Sequence, residues 1–116
     1  MIEYNFKIVQ YYFIEQKTLS KPTKRVDVYG KFTMLSDLSH INLEYAIEIL
    51  KNLKLIELNK VKEHVWGTEM LNIISKKDNS QIQYSVDAVC DQETDIETKY
   101  LLDLIKDWIE FLKVVS

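Results

Sequence analysis

The stretch TDIETKYLLDLIKDWIEFLKVV, residues 94–115, decides the fold of this chain. Its apolar residues recur at the three- and four-residue spacing of an α-helix, and charged residues occupy the other side. Thr94 stands three residues before Glu97, the spacing of a capping box, which predicts a helix that begins near Thr94. The apolar stripe is too wide to stay in water, so the rest of the chain must cover it. The stripe consists of Leu101, Leu104, Ile105, Trp108, Ile109, Phe111 and Leu112.

Four upstream segments have the two-residue alternation of strands and predict the sheet that covers this helix. They span residues 3–15, 25–34, 63–75 and 81–90, with Gly30 as a bulge or close contact inside the second. Residues 16–24 are a polar connection, and residues 77–80 have the composition of a turn.

A first helix is predicted between the second and third strands. Residues 36–42 form a turn in this interpretation, and Asn42 is the expected N-cap. The helix should end near residues 52–54. Its apolar face would hold Leu43, Ala46, Ile47, Leu50 and Leu53.

These elements predict one α+β domain over residues 1–116, in the order β-β-α-β-β-α. Because both strand pairs are hairpins, the sheet should be mainly antiparallel. The two amphipathic helices should pack on it in two layers.

The single cysteine, Cys90, excludes an internal disulfide and fits a reducing compartment. No apolar run reaches the ~18 residues of a membrane helix, and residues 1–4 do not resemble a signal peptide. We therefore expect a cytoplasmic protein without a membrane partner. Cys90 lies on the apolar phase of its predicted strand, where a cysteine is usually buried and inert.

The charge is unevenly distributed along the chain. Residues 1–62 hold ten Lys/Arg and seven Asp/Glu, a net charge of +3; residues 63–116 hold five and eleven, a net charge of −6. Six acids and no base lie between Lys77 and Lys99. They are Asp78, Asp87, Asp91, Glu93, Asp95 and Glu97.

Residues that typically carry out catalysis are scarce. His40 and His64 lie in different predicted elements, without zinc-ligand spacing, and two glycines cannot make a phosphate-binding loop. Cys90 paired with a distant histidine would be needed for nucleophilic catalysis. We therefore expect no enzyme, no metal and no cofactor.

The acidic cluster has three interpretations. It is a solvated connection whose Asp95 and Glu97 favour the helix dipole, a hard-metal site, or a docking surface for a basic partner. A calcium loop would need a glycine, which the cluster lacks. The basic group Lys17, Lys21, Lys24 and Arg25 could contact phosphates, but in an acidic protein it fits a soluble loop better. We therefore expect no direct nucleic-acid contact.

The segment Trp66-Gly67-Thr68-Glu69-Met70, then Ser80 and the Tyr84 strand, then Trp108–Leu112, resembles small immunity proteins of bacterial polymorphic-toxin and contact-dependent inhibition systems. The resemblance covers roughly the C-terminal half. It implies a cytoplasmic protein that binds one cognate toxin, often a nuclease, and blocks it without catalysis.

Our hypothesis is therefore an inhibitory binding protein whose acidic surface meets a basic toxin domain, with an aromatic anchor in the contact. The alternative is a homodimeric adaptor or structural subunit, joined through an edge strand or the last helix. If the first strand is an edge, the aromatics of residues 11–13 could also anchor a partner. The expected binding residues are Trp66, Glu69, Tyr84, Asp87, Asp91, Glu93, Asp95 and Glu97.

Overall fold

The computed structural model describes the backbone of residues 2–86 and 89–114, and their side chains except at residues 86 and 89–91. It contains eight strands, two α-helices and a 3₁₀ segment, which confirms an α+β fold. The strands are β1 Glu3–Val9, β2 Tyr12–Phe13, β3 Thr18–Leu19, β4 Thr23–Tyr29, β5 Glu63–Gly67, β6 Leu71–Lys76, β7 Asn79–Val86 and β8 Val89–Glu97. The helices are the 3₁₀ segment Gly30–His40, α1 Leu43–Glu57 and α2 Thr98–Lys113.

All strand pairs of the described residues are antiparallel, as predicted. β1 pairs with β4, β2 pairs with β3, and β5 to β8 form a meander of four strands in sequence order. The predicted order β-β-α-β-β-α is too simple. A second hairpin, β2–β3, lies between the paired strands β1 and β4, and the four strands β5 to β8 occupy the region where two were predicted.

The first predicted strand, residues 3–15, was too long. β1 ends at Val9, and the chain then forms the small β2–β3 hairpin with a turn at residues 14–17. The Tyr11 N–H donates to the hydroxyl of Ser20 at 2.8 Å, and the Ser20 N–H donates to the carbonyl of Tyr11. These two hydrogen bonds join the chain at the base of the β2–β3 hairpin.

The second predicted strand was also too long. β4 ends at Tyr29, and Gly30 adopts a φ of +78°, a conformation that glycine accepts readily, to start the 3₁₀ segment. The predicted turn over residues 36–42 is mostly the end of that segment. Ser36 and Ser39 accept from the N–H groups of Val28 and Val26 at 2.8 and 3.0 Å. Serine hydroxyls thus satisfy donors along one edge of β4, in place of a further strand.

The cap of α1 is confirmed, since the Asn42 side chain accepts from the N–H of Tyr45 at 2.8 Å. The helix continues to Glu57, beyond the expected end at residues 52–54. Its buried residues are Ala46, Ile49, Leu53 and Ile56. Ile47, which was expected in the apolar face, is exposed, because the buried stripe is rotated by about a fifth of a turn around the helix from the predicted one.

The predicted third strand is two strands, β5 and β6, joined by a tight turn. The N–H of Thr68 donates to the carbonyl of Leu71 at 2.9 Å and closes this turn. Gly67 has a φ of +150°, and a Cβ there would overlap the Leu71 carbonyl. The close approach of the two backbones therefore requires glycine.

Helix α2 begins at Thr98 and not at Thr94. Residues up to Glu97 pair with β7, where Glu97 lies opposite Asn79, so the predicted acidic connection is a strand. Glu97 is the N-cap but makes no capping bond with its side chain, and the predicted capping box is wrong. The backbone of residues 94–97 pairs with strand β7 instead of forming the first turn of the helix.

The apolar stripe of α2 is covered, as expected. The ring of Phe6 on β1 stacks on Phe111 at 5.1 Å and tilts against Trp108 at 5.9 Å. The Trp108 indole donates to the carbonyl of Ile41 at 3.0 Å. The buried residues of β4, the 3₁₀ segment, both helices and the meander form one cluster. The face of α2 is thus part of the core and is not free for a homodimer contact.

Candidate functional site

Strand β8 lies at one edge of the meander and carries three acidic side chains on one face. Its register places Glu93, Asp95 and Glu97 opposite Gln83, Gln81 and Asn79 of β7. All three are exposed. We call Glu93, Asp95 and Glu97 the acidic edge.

The two-residue period of β8 explains this arrangement. Ile96 is buried and Thr94 half-buried, so their face points to the helices and the acids between them point outward. The pairs Tyr84–Gln92 and Ser85–Cys90 leave Asp91 as the extra residue of a bulge. The side chains of Asp91 and Cys90, and all of Asp87, lie outside the described part of the structure.

Local partners only partly neutralise the acidic edge. The Gln81 amide donates to the carboxylate of Glu93 at 2.5 Å. Glu97 forms an exposed ion pair with Lys99 at 3.2 Å, which raises the pKa of Lys99. Such an exposed pair contributes little to stability, because water screens both charges. The edge together with Lys99 therefore keeps a net charge of about −2.

Among the described residues, β8 pairs as a strand only with β7, so its outer edge at residues 93–97 is accessible to a further strand. A second copy of β8 in that position would place carboxylates opposite or diagonal to one another, which is unfavourable. A basic strand or loop would instead meet opposite charge and could pair with the outer backbone edge of residues 93–97. The arrangement thus selects against self-pairing and favours a cationic partner.

The same outward face carries an apolar pair that the sequence analysis did not identify. Asp95, Gln81, Ile74 and Val65 are successive partners across the four strands. Val65 is 53% exposed and Ile74 is partly exposed. The signal was present in the sequence, since Val65 and Ile74 fall out of phase with the inward residues Trp66 and Ile73. This pair supplies apolar surface on the face of the acidic edge.

Trp66, the expected aromatic anchor, is only 3% exposed. Its indole N–H donates to the buried hydroxyl of Ser75 at 3.0 Å. Trp66 is therefore a core residue, and the expectation that it binds a partner is corrected. Its inward phase on β5 turns it away from solvent.

Tyr84 and Glu69 are separated from the acidic edge. Tyr84 is half-buried on the inward face, and its hydroxyl lies 3.7 Å from the sulfur of Met70. Glu69 is exposed in the β5–β6 turn, on the far side of β7. Of the eight expected binding residues, the structure brings together Glu93, Asp95 and Glu97.

Two adjoining clefts, of about 580 and 370 Å³, were also not foreseen. They share Asp37 and His40 of the 3₁₀ segment. One carboxylate oxygen of Asp37 lies 3.5 Å from the His40 ring, and the other accepts a bond from the hydroxyl of Thr68. These contacts tie the 3₁₀ segment to the β5–β6 turn. We assign Asp37 a structural role, because its contact with Thr68 joins these two elements.

Within the described residues, no group of three or more His, Cys, Asp and Glu side chains is placed to hold a metal ion. No helix in the same part of the chain is long and apolar enough to span a membrane. Comparison of the chain with protein-family models, curated proteins and solved structures gives no match.

Proposed function

We propose that this protein is a non-catalytic inhibitory binding protein of the cytoplasm that docks a basic toxin domain, of the nuclease kind, on the outward face of β8. The observation that carries the proposal is the alignment of Glu93, Asp95 and Glu97 on one exposed face of an open edge strand. The resemblance of the C-terminal half to immunity proteins supplies the toxin as the class of partner.

Charge and apolar surface have different tasks in this contact. An inhibitor that protects a cell needs nanomolar affinity, about −12 kcal/mol. The carboxylates mainly speed association and select a cationic partner. Burial of Val65 and Ile74, at about 1.5–3 kcal/mol for each fully buried side chain, would take over the anchoring that we had expected of Trp66.

The test is affinity capture of the full chain from a lysate of its source, treated with nuclease and analysed by mass spectrometry. The test bait carries Glu93→Gln, Asp95→Asn and Glu97→Gln. The control bait carries Glu57→Gln, Asp103→Asn and Glu110→Gln, which remove the same charge from exposed helix positions.

We expect one basic protein in stoichiometric amount with the wild type and the control bait, and a large loss with the test bait. With the purified partner, the test variant should associate more slowly and with a flatter salt dependence. Equal capture by both triple variants, or a partner with an acidic surface, would contradict the proposal. Inhibition of the partner's toxicity by the wild type completes the test.

The homodimeric adaptor remains the alternative, but two observations count against the contacts first expected for it. The wide face of α2 packs in the core, and self-pairing of β8 would oppose like charges. We therefore expect light scattering of the purified protein to give the mass of a monomer at micromolar concentration.

A further inference from the structure

The β2–β3 hairpin exposes most of its apolar side chains. We call residues 11–20 the hairpin tip. Its exposed fractions are 54% for Tyr11, 57% for Tyr12, 48% for Phe13, 80% for Ile14 and 62% for Leu19. Together they present on the order of 500 Å² of apolar and aromatic surface, at the upper end of the largest patch of a typical monomer.

Both faces of the hairpin tip are apolar. Tyr12 pairs with Leu19, and Phe13 pairs with Thr18. Because successive strand residues point to opposite faces, Tyr12 and Leu19 share one face and Phe13 lies on the other. A flat protein surface, or a second copy of the hairpin, would cover only one of these faces.

The fold does little to cover this surface. Within the described residues β2 pairs only with β3, and each strand has two residues. Such a short two-stranded ribbon is marginal in water without a surface to pack on. An exposed isoleucine in the turn, where polar residues are usual, therefore points to a binding surface.

The hairpin tip belongs to the basic end of the molecule. Residues 1–34 hold six Lys/Arg and three Asp/Glu, a net charge of +3, which accounts for the whole excess of the first 62 residues. Lys24 and Arg25 are engaged with the end of α2 and with Asp27. Lys17 and Lys21 are exposed beside the apolar residues, together with one acid, Glu15.

We propose that the hairpin tip docks the protein on an anionic lipid surface. Tyr12, Phe13, Ile14 and Leu19 enter the interfacial region, which surrounds both faces of the ribbon, and Lys17 and Lys21 meet the anionic headgroups. Tyrosines suit this depth because their rings are apolar and their hydroxyls stay hydrated. This inference departs from our expectation of no membrane partner, which rested on the lack of a membrane-spanning segment.

The docking surface is independent of the proposed inhibitor function. The acidic edge is on a different sheet and has the opposite charge, so a basic toxin and an anionic membrane would use different parts of the molecule. Failure of either proposal leaves the other intact.

The experiment is flotation of the 116-residue chain with vesicles of phosphatidylcholine alone and of phosphatidylcholine mixed with phosphatidylglycerol. One variant carries Phe13→Ser and Ile14→Ser, and a second carries Lys17→Gln and Lys21→Gln. The matched control carries Ile47→Ser and Leu58→Ser, which remove exposed apolar side chains from α1 and its end. The urea midpoint of each variant checks that it is folded.

We expect the wild type and the control to float with the anionic vesicles and not with phosphatidylcholine alone. Phe13→Ser with Ile14→Ser should weaken binding at least tenfold, and the lysine variant about thirtyfold, at ~1 kcal/mol per lysine. No flotation of the wild type, or equal flotation with both vesicle types, would overturn the proposal. A dimer in light scattering that Phe13→Ser and Ile14→Ser abolish, without vesicle binding, would assign the surface to a second copy and also overturn it.

Discussion

The indole N–H of Trp66 donates to the hydroxyl of Ser75 at 3.0 Å, and both side chains are buried. The contact continues through the core. The hydroxyls of Ser75 and Ser80 lie 2.8 Å apart, those of Ser80 and Thr98 lie 2.7 Å apart, and Thr98 donates to the carbonyl of Lys76 at 2.6 Å. This chain of polar groups joins β5, β6 and β7 to the first residue of α2.

Ser80→Ala should destabilise the protein by about 1–3 kcal/mol, because Ser75 and Thr98 would lose a partner in a buried site. Urea unfolding followed by circular dichroism measures the change. Ser85→Ala on the same strand, at a partly exposed position, should change stability by about 0.5 kcal/mol or less. Equal effects of the two substitutions would show that the buried hydrogen bonds of Ser80 contribute no more to the free energy of unfolding than a partly exposed serine does.

Gly67→Ala should be more damaging than Gly30→Ala. Both glycines have positive φ, so both substitutions strain the backbone. At Gly67 the new Cβ would also overlap the Leu71 carbonyl, whereas at Gly30 no atom lies within 4 Å. We expect a loss of about 1 kcal/mol at Gly30 and clearly more at Gly67. A loss at Gly30 equal to or larger than that at Gly67 would contradict the turn geometry.

His64 should make stability fall in mildly acidic solution. The Nε2 atom of its ring is buried and has no hydrogen-bond partner among the described residues. Burial lowers the pKa of His64 below its ordinary value of 6.5, although the charge of Glu48 opposes the shift. The unfolded chain therefore takes up this proton at a higher pH than the folded protein does.

Stability should consequently decrease as the pH falls below 6.5 and level off, for this group, below the folded pKa. Urea unfolding between about pH 7 and pH 5 measures this slope. His64→Gln should flatten the slope, and His40→Gln, at an exposed position, serves as the control. An unchanged slope in the His64 variant would show that His64 does not cause the pH dependence of stability.

Lys24 should stabilise the end of α2. Its ammonium group donates to the carbonyls of Phe111 and Leu112 at 3.0 and 3.1 Å and also contacts that of Val114. A cation at a helix C-terminus contributes about 0.3–2 kcal/mol. Lys24→Met should lower the free energy of unfolding by such an amount, whereas Lys21→Met should leave it nearly unchanged. Thermal unfolding at low and high salt distinguishes this electrostatic effect from lost packing.

Local patterns predicted those parts of the structure in which one residue and its near neighbours decide the outcome. The stripe of α2 is buried where expected at Leu101, Leu104, Ile105 and Trp108. Asn42 caps α1, because a cap depends on the next three residues only. The antiparallel pairing followed from short connections between alternating segments.

The acidic edge shows where local patterns failed. A run of six acids without a base is typical of a loop, yet Glu93, Asp95 and Glu97 lie in a strand because β7 supplies hydrogen bonds for their backbone. The charges were visible in the sequence. Their common face depends on β8 pairing in register with β7, and that pairing was not visible.

The sequence by itself determined the α+β class, the antiparallel pairing, the start of α1, the buried stripe of α2 and the separation of charge between the two halves. Only the tertiary structure decided that Trp66 is a core residue, that Val65 and Ile74 are at the surface, and that the hairpin tip projects with both faces exposed. The physical reason is that periodicity and caps act within a few residues, whereas exposure depends on which distant segment packs against a face. In this protein those distant segments place the acidic edge and the hairpin tip on different sheets.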